Sequence, residues 1–263
     1  MRIAAVNGVK LHWREDGDPN GAPVVFANSL GTDLRLWDDI IPLLPRGLRL
    51  IRFDNRGHGL SSCPPAPYAM DDLVADTAAL LDHLKITNCV FVGLSIGGVI
   101  AQGLAATRPD LLRAAVLSNS AARMGDTELW DGRIATVRSD GLAAMGDAVL
   151  ERWFSDAFRG TDALEAWRNM LIRTPAEGYA GCCYALRDAD MTAQTKTLSL
   201  PVLCIGGTED GASPPAVVRA TADIIPGARY DEISGAGHLP CVEKPDEFAD
   251  LITAFLKETG HVQ

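Results

Sequence analysis

Short strand-like runs alternating with helical stretches restrict the folds open to this chain more than any other feature. Residues 24–27, 48–53, 89–94, 114–117, 202–205 and 228–233 read as strands. Between them, Leu73, Thr77, Leu80, Leu81 and Leu84 have helical spacing, and residues 96–107 read as a helix that stops before Pro109. Pro245 opens a last amphipathic helix to about Lys257, with Phe248, Leu251, Ile252 and Phe255 on one side. A parallel sheet needs crossover helices, and those helices cover both of its faces, so its strands are short and apolar rather than alternating. The pattern therefore predicts an α/β protein with a mainly parallel sheet. Asn7-Gly8, between residues 3–6 and 9–13, adds a two-residue hairpin at the start.

The alternation breaks between about Ala121 and Thr197. That stretch is helix-like, holds Trp130, Trp153 and Trp167, and contains no convincing strand. It predicts a helical lid (121–197) inserted after the sixth strand into a core made of 1–120 and 198–263. The chain shows no internal repeat or low-complexity tract.

Charge narrows the function classes. Twenty-four Lys and Arg against 34 Asp and Glu give a formal net charge of −10. A nucleic-acid protein needs a basic face to displace counterions, and no basic run is present. The same excess argues against anionic lipid and, at first sight, against an acidic ligand. The opening residues lack the apolar core of a secretory signal, and no run reaches the ~18–20 apolar residues of a membrane span. None of the six cysteines has metal-ligand spacing with the five histidines, which suits reduced thiols in the cytoplasm.

Gly93-Leu94-Ser95-Ile96-Gly97-Gly98 joins a predicted strand to a predicted helix. A serine on that sharp turn has its hydroxyl exposed, and the flanking glycines leave room for neighbouring backbone. Counts of Gly and Ser alone would produce the bare pattern roughly 0.1 times in a chain this long, but its place between strand and helix makes it far more specific. A serine hydroxyl needs a base to take its proton, and the base needs an orienting acid. His12 lies in the hairpin, His83 on a charged helix turn, His261 in the tail and His58 in a Gly-rich loop. His238, on the loop after the last predicted strand, is the best placed. For the acid, Ser118-Asn119-Ser120 offers no carboxylate, whereas Gly206-Gly207-Thr208-Glu209-Asp210 offers two.

The chain order Ser95, acid, His238 resembles that of the α/β-hydrolases. The resemblance covers nearly the whole chain. It includes Asp54-Asn55-Arg56-Gly57-His58-Gly59-Leu60-Ser61, the turn at Ser95, Gly207-Thr208-Glu209-Asp210 with Pro214 behind it, and Gly237-His238 before Pro245. It implies the α/β-hydrolase fold, a mostly parallel eight-stranded sheet flanked by helices with an inserted lid. It also implies Asp210 as the acid and a structural role for Asp54 and His58. Many relatives have His-Gly after the strand that ends at Ala27, where this chain has Asn28-Ser29-Leu30-Gly31. Backbone donors do not depend on side-chain identity, so the N–H groups of Leu30 and Ile96 are the expected oxyanion hole.

The Asn-Ser-Leu-Gly variant and the segments around Trp130–Arg133 and Glu151-Arg152-Trp153-Phe154 resemble the 3-oxoadipate enol-lactone hydrolases of bacterial aromatic catabolism. That likeness implies a small lactone bearing a carboxylate, hydrolysed through an acyl-enzyme without metal or organic cofactor. The carboxylate needs a cation, and helical spacing sets Trp130, Arg133, Ile134 and Val137 on one side, with Arg138 at its edge. Substrate contacts are therefore expected from Trp130, Arg133, Trp153, Arg138 and Ser29; solvated arginines and plain lid packing by the tryptophans are the competing readings. A general carboxylesterase or a cofactor-free perhydrolase would use the same triad, and a ligand receptor could use the same scaffold. A homo-oligomer is compatible with the sequence, whereas nucleic-acid and membrane partners are not expected.

Overall fold

The computed structural model describes residues 1–262. Its strands are β1 (Arg2–Val6), β2 (Val9–Gly17), β3 (Ala22–Ala27), β4 (Leu48–Phe53), β5 (Cys89–Leu94), β6 (Leu112–Ser118), β7 (Val202–Gly207) and β8 (Arg229–Ile233). They form one eight-stranded sheet in the order β1-β2-β4-β3-β5-β6-β7-β8. The β1–β2 and β2–β4 pairs are antiparallel, and every other pair is parallel. Asn7 and Gly8 both have positive φ (46° and 76°), as the predicted hairpin turn requires.

The core follows from the composition of the central strands. Val24, Val25, Phe26 and Ala27 are fully buried, as is all of β5, so both faces of the sheet are covered. Each such side chain removed from water contributes roughly 1.5–3 kcal/mol. Two helices, α1 (Met70–His83) and α2 (Ile96–Thr107), pack together, and α2 lies on β5 and β6. Trp37 bridges Phe26 of β3, 5.0 Å away between ring centroids, and Phe248, 6.2 Å away.

Between β6 and β7 the chain forms α3 (Thr127–Asp140), α4 (Gly146–Trp153), α5 (Asp156–Arg159), α6 (Leu164–Ile172), α7 (Ala176–Asp188) and α8 (Thr192–Thr195), and no strand. Among these, α3 packs on α7 and α4 on α6. The remaining helices are α9 (Pro215–Ile224), which lies on β7, α10 (Pro240–Glu243) and α11 (Pro245–Glu258), which carries Phe248. Pro245 opens α11, where its missing N–H would have had no acceptor anyway. Among the described residues, no helix is long and apolar enough to cross a membrane.

The strand order also positions a site. From β3 the chain moves to one side to make β4 and then to the other side to make β5. Connections therefore diverge at the β3–β5 pair, and the crevice outside the carboxyl ends of such strands is where open α/β sheets bind ligands. The loop after β3 and the turn after β5 both open there.

Candidate active site

Strand β5 ends at Leu94 and α2 begins at Ile96, so Ser95 alone makes the turn. Its backbone lies at φ 57° and ψ −116°, a conformation that L-residues rarely adopt. Hydrogen bonds hold it: Ser95 N–H donates to Ser118 O at 2.9 Å, and Ser120 Oγ donates to Ser95 O at 2.7 Å. The glycines make the close approach of backbone feasible. A Cβ on Gly93 would lie 2.1 Å from Gly97 O, and one on Gly97 would lie 2.3 Å from Ala27 O. Gly97→Ala is therefore expected to destabilise the fold by about 3 kcal/mol, as overpacking against rigid backbone does. A lowered urea midpoint would report it, and an unchanged midpoint would show that the turn can open.

His238 and Asp210 meet from separate loops. His238 Nδ1–H donates to Asp210 Oδ2 at 2.9 Å with both side chains buried, which leaves Nε2 without a hydrogen-bond partner among the described residues. The other carboxylate oxygen, Oδ1, accepts the N–H groups of Ala212 (2.7 Å) and Ser213 (2.8 Å). Asn119 completes the setting, donating through Nδ2 to Asp210 Oδ2 at 2.8 Å and to Gly237 O at 3.2 Å. The Ser118-Asn119-Ser120 turn offers no carboxylate, and its neutral amide instead holds Asp210 in place. Glu209, the competing carboxylate, is exposed on the same turn.

The loop after β3 and the start of α2 hold the two N–H groups expected to bind an oxyanion. Ile96 is the first residue of α2, so its N–H has no intrahelical acceptor, and Leu30 N–H has no hydrogen-bond partner among the described residues. Asn28, where many relatives have histidine, is buried and shapes this loop: Nδ2 donates to Phe53 O and Oδ1 accepts from Trp37 Nε1, both at 2.8 Å. His58 steadies the next turn, its Nε2 accepting Gly31 N–H at 3.0 Å. Burial pushes the His58 imidazole below its ordinary range, in keeping with a neutral ring that accepts through Nε2. A second histidine–carboxylate pair exists: His12 Nδ1 lies 2.8 Å from Asp54 Oδ2. Asp54 also accepts the N–H groups of Leu34 and Leu60 at 2.8 and 2.9 Å, so it ties loops together.

A pocket of about 190 Å³ brings these groups together, smaller than the roughly 300–1,000 Å³ typical of drug-sized ligands. Ser95, His238, Ser29 and Leu30 line it from the sheet side, and Trp130, Arg133, Arg152, Trp153 and Tyr179 line it from the helices between β6 and β7. Four of the five expected substrate contacts are thus at the pocket. Arg138 is not. Five residues along α3 amount to about 140° of rotation from Arg133, and Arg138 faces outward beside Glu177 (3.9 Å) and over the Tyr184 ring.

Two lining residues escaped the sequence reading. Nothing local in the Glu151-Arg152-Trp153-Phe154 segment distinguishes Arg152 from a solvated arginine. Tyr179 sits in α7, where no apolar stripe had been read. Its hydroxyl and that of Ser29 are buried without a hydrogen-bond partner among the described residues. Buried polar groups are normally satisfied; the Tyr179 hydroxyl has Arg133 beside it, and the Ser29 hydroxyl has no such neighbour among the described residues.

Comparison with known proteins gives a consistent picture. Residues 22–245 match the family described as alpha/beta hydrolase fold. The chain is 35% identical over 251 residues, covering 95% of it and 94% of the relative, to 3-oxoadipate enol-lactonase 2 of Acinetobacter baylyi. It superposes with a TM-score of 0.94 on the crystal structure of the enol-lactonase from Burkholderia xenovorans LB400, at 40% identity over 97% of this chain and all of that one. It is also 32% identical over 256 residues, 92% of this chain and 95% of the relative, to a putative non-heme bromoperoxidase of Mycobacterium tuberculosis.

Proposed function

The chain belongs to the α/β-hydrolase family, and from that premise we propose that it hydrolyses 3-oxoadipate enol-lactone to 3-oxoadipate in the β-ketoadipate pathway of aromatic catabolism. Ser95 Oγ attacks the ring carbonyl while His238 Nε2 takes its proton. Asp210 keeps the Nδ1 proton in place and stabilises the imidazolium that forms. The tetrahedral oxyanion accepts from the N–H groups of Leu30 and Ile96. Collapse of the intermediate breaks the ring C–O bond and leaves an acyl-enzyme carrying a ketone. His238 then activates water to release the carboxylate and restore Ser95. Residues 121–197 act as the lid that walls the pocket.

The observation that carries this reading is Arg133. Its guanidinium lies over the Trp130 ring, 5.2 Å from the centroid, has no carboxylate partner among the described residues, and lines the pocket with Ser95 and His238. A cation left unpaired beside a nucleophile suits a substrate that brings its own carboxylate. The buried Ser29 hydroxyl adds a donor for such a ligand, and the Tyr179 hydroxyl lies beside Arg133. We also place the protein in the cytoplasm, since all six cysteines are free thiols and five are buried.

Loss of the lactone's ultraviolet absorbance on addition of protein is the direct test. Arg133→Ala is expected to raise KM for the lactone about 30-fold, the worth of a charge-assisted hydrogen bond, and to leave cleavage of neutral esters nearly unchanged. Equal effects on both substrates would remove Arg133 from that role. A general esterase or perhydrolase is the second reading, favoured by the similarity to the bromoperoxidase. Rapid hydrolysis of p-nitrophenyl acetate with no turnover of the lactone would establish it instead.

A further inference from the structure

Arg152 is the second arginine in the pocket, and its setting differs from that of Arg133. It lies in the last turn of α4, tied to the residue after Asp210 by two hydrogen bonds: Arg152 Nε donates to Gly211 O at 3.0 Å, and Gly211 N–H donates to Arg152 O at 3.2 Å. The adjacent residue is tied to the histidine loop, His238 N–H donating to Trp153 O at 2.7 Å. The end of α4 is thus fixed to both loops that carry the proposed acid–base pair, whereas Arg133 and Tyr179 come from α3 and α7. Only Nε of Arg152 has a partner among the described residues; the two terminal nitrogens have none, and no carboxylate lies within ion-pair distance. The side chain is half-buried, and burial, followed by the charge of Arg133, lowers its basicity against the opposing pull of Asp210 and Tyr179.

On the proposed reaction, such a cation has a specific use. His238 must return its proton to the leaving group, so the departing oxygen lies on the histidine side of the scissile carbonyl, in the pocket that Arg152 lines together with Ser95 and His238. In the enol lactone that oxygen is bonded to the carbon bearing the carboxymethyl arm. Leaving oxygen and carboxylate are therefore near neighbours in one molecule, and two neighbouring guanidinium groups can serve them separately. We propose that Arg152 stabilises the negative charge that develops on the departing enolate oxygen. The proposal rests on the lactone reading for its substrate, but the chemistry applies to any ester the site accepts.

The Ser95 Oγ–carbonyl bond forms as the proton moves to His238 Nε2. The ring C–O bond then breaks with its electron pair going to the enolate oxygen, which Arg152 holds. The His238 proton finally reaches the enolate to give the ketone, leaving the acyl-enzyme and a neutral histidine. No oxidant or other reactant enters before the water of deacylation.

A series of neutral aryl acetates tests this without using the lactone. Under kcat/KM, which reports acylation, Arg152→Met is expected to steepen the dependence on leaving-group pKa. p-Nitrophenyl acetate should be slowed little and phenyl acetate by about 100-fold, the effect of removing one preorganised donor. Arg152→Lys, which keeps the charge, should restore part of the loss and a shallower slope. Uniform slowing across the series, no slowing, or no rescue by lysine would overturn the proposal. Failure of the protein to turn over the enol lactone would sink the substrate assignment and leave the slope measurement standing on its own.

Discussion

Ser95→Ala is expected to lower kcat for the enol lactone by about 10⁶-fold, the loss seen when a triad nucleophile is deleted. What remains is the rate supplied by the oxyanion hole and by binding alone. The fold should survive the change. The contacts that hold the turn use the backbone of Ser95, whose N–H donates to Ser118 O and whose carbonyl accepts from Ser120 Oγ. Alanine keeps both bonds and inherits the same positive φ, so thermal unfolding should stay close to that of the parent protein. Binding of the product dicarboxylate, measured by calorimetry, should likewise persist, because Arg133 and the pocket walls are untouched. Loss of turnover with retained binding and stability assigns the nucleophile; retained turnover would move the chemistry to another group and reopen the receptor reading of this scaffold.

The fold was legible because its signals are local. Asn7-Gly8 demands one turn type, β5 is a six-residue apolar run, and Pro109 and Pro245 punctuate the helices beside them. The order of strands in the sheet was not legible, since which strand pairs with which is decided by long-range packing rather than by any one segment. Ser95, Asp210 and His238 could be nominated because each follows a recognisable strand. The pocket wall could not be read as well. Arg133 and Arg138 differ only in angle around α3, and an apolar face three residues wide does not resolve which edge is inside. Arg152 reaches the pocket because Gly211 and His238 anchor the end of α4, contacts that join residues more than fifty positions apart. Asn119 was invisible for a related reason: its value lies in Asp210 and Gly237, both far along the chain.

The net charge of −10 illustrates the same divide between average and local properties. Many of the surface carboxylates sit in ion pairs with arginines such as Arg108, Arg187 and Arg229, where exposed pairs contribute little to stability. Arg133 and Arg152 have no carboxylate partner among the described residues, and both line the pocket. An acidic protein can therefore hold an anion, provided its own carboxylates are kept away from the pocket.

Asp210→Asn is expected to reduce kcat by about 10⁴-fold, and the reason lies in how its four hydrogen bonds are distributed. Oδ1 accepts two backbone N–H groups, from Ala212 and Ser213, that cannot turn away. Oδ2 accepts from Asn119 and His238. An asparagine has one acceptor and one NH₂ group, and the backbone pair claims the acceptor. The NH₂ group then faces His238, which can meet it only by moving its proton from Nδ1 to Nε2. A histidine protonated at Nε2 cannot take the proton of Ser95, so the nucleophile is left unactivated although the geometry is kept. Ring N–H resonances in a proton NMR spectrum would show the change of tautomer directly. Glu209→Gln is the control: that side chain is exposed one residue away, and its loss should change kcat by no more than about two-fold, as for surface substitutions generally. If instead Glu209→Gln abolished turnover and Asp210→Asn did not, the acid would belong to the other carboxylate of the same turn, and the buried His238–Asp210 bond would be structural.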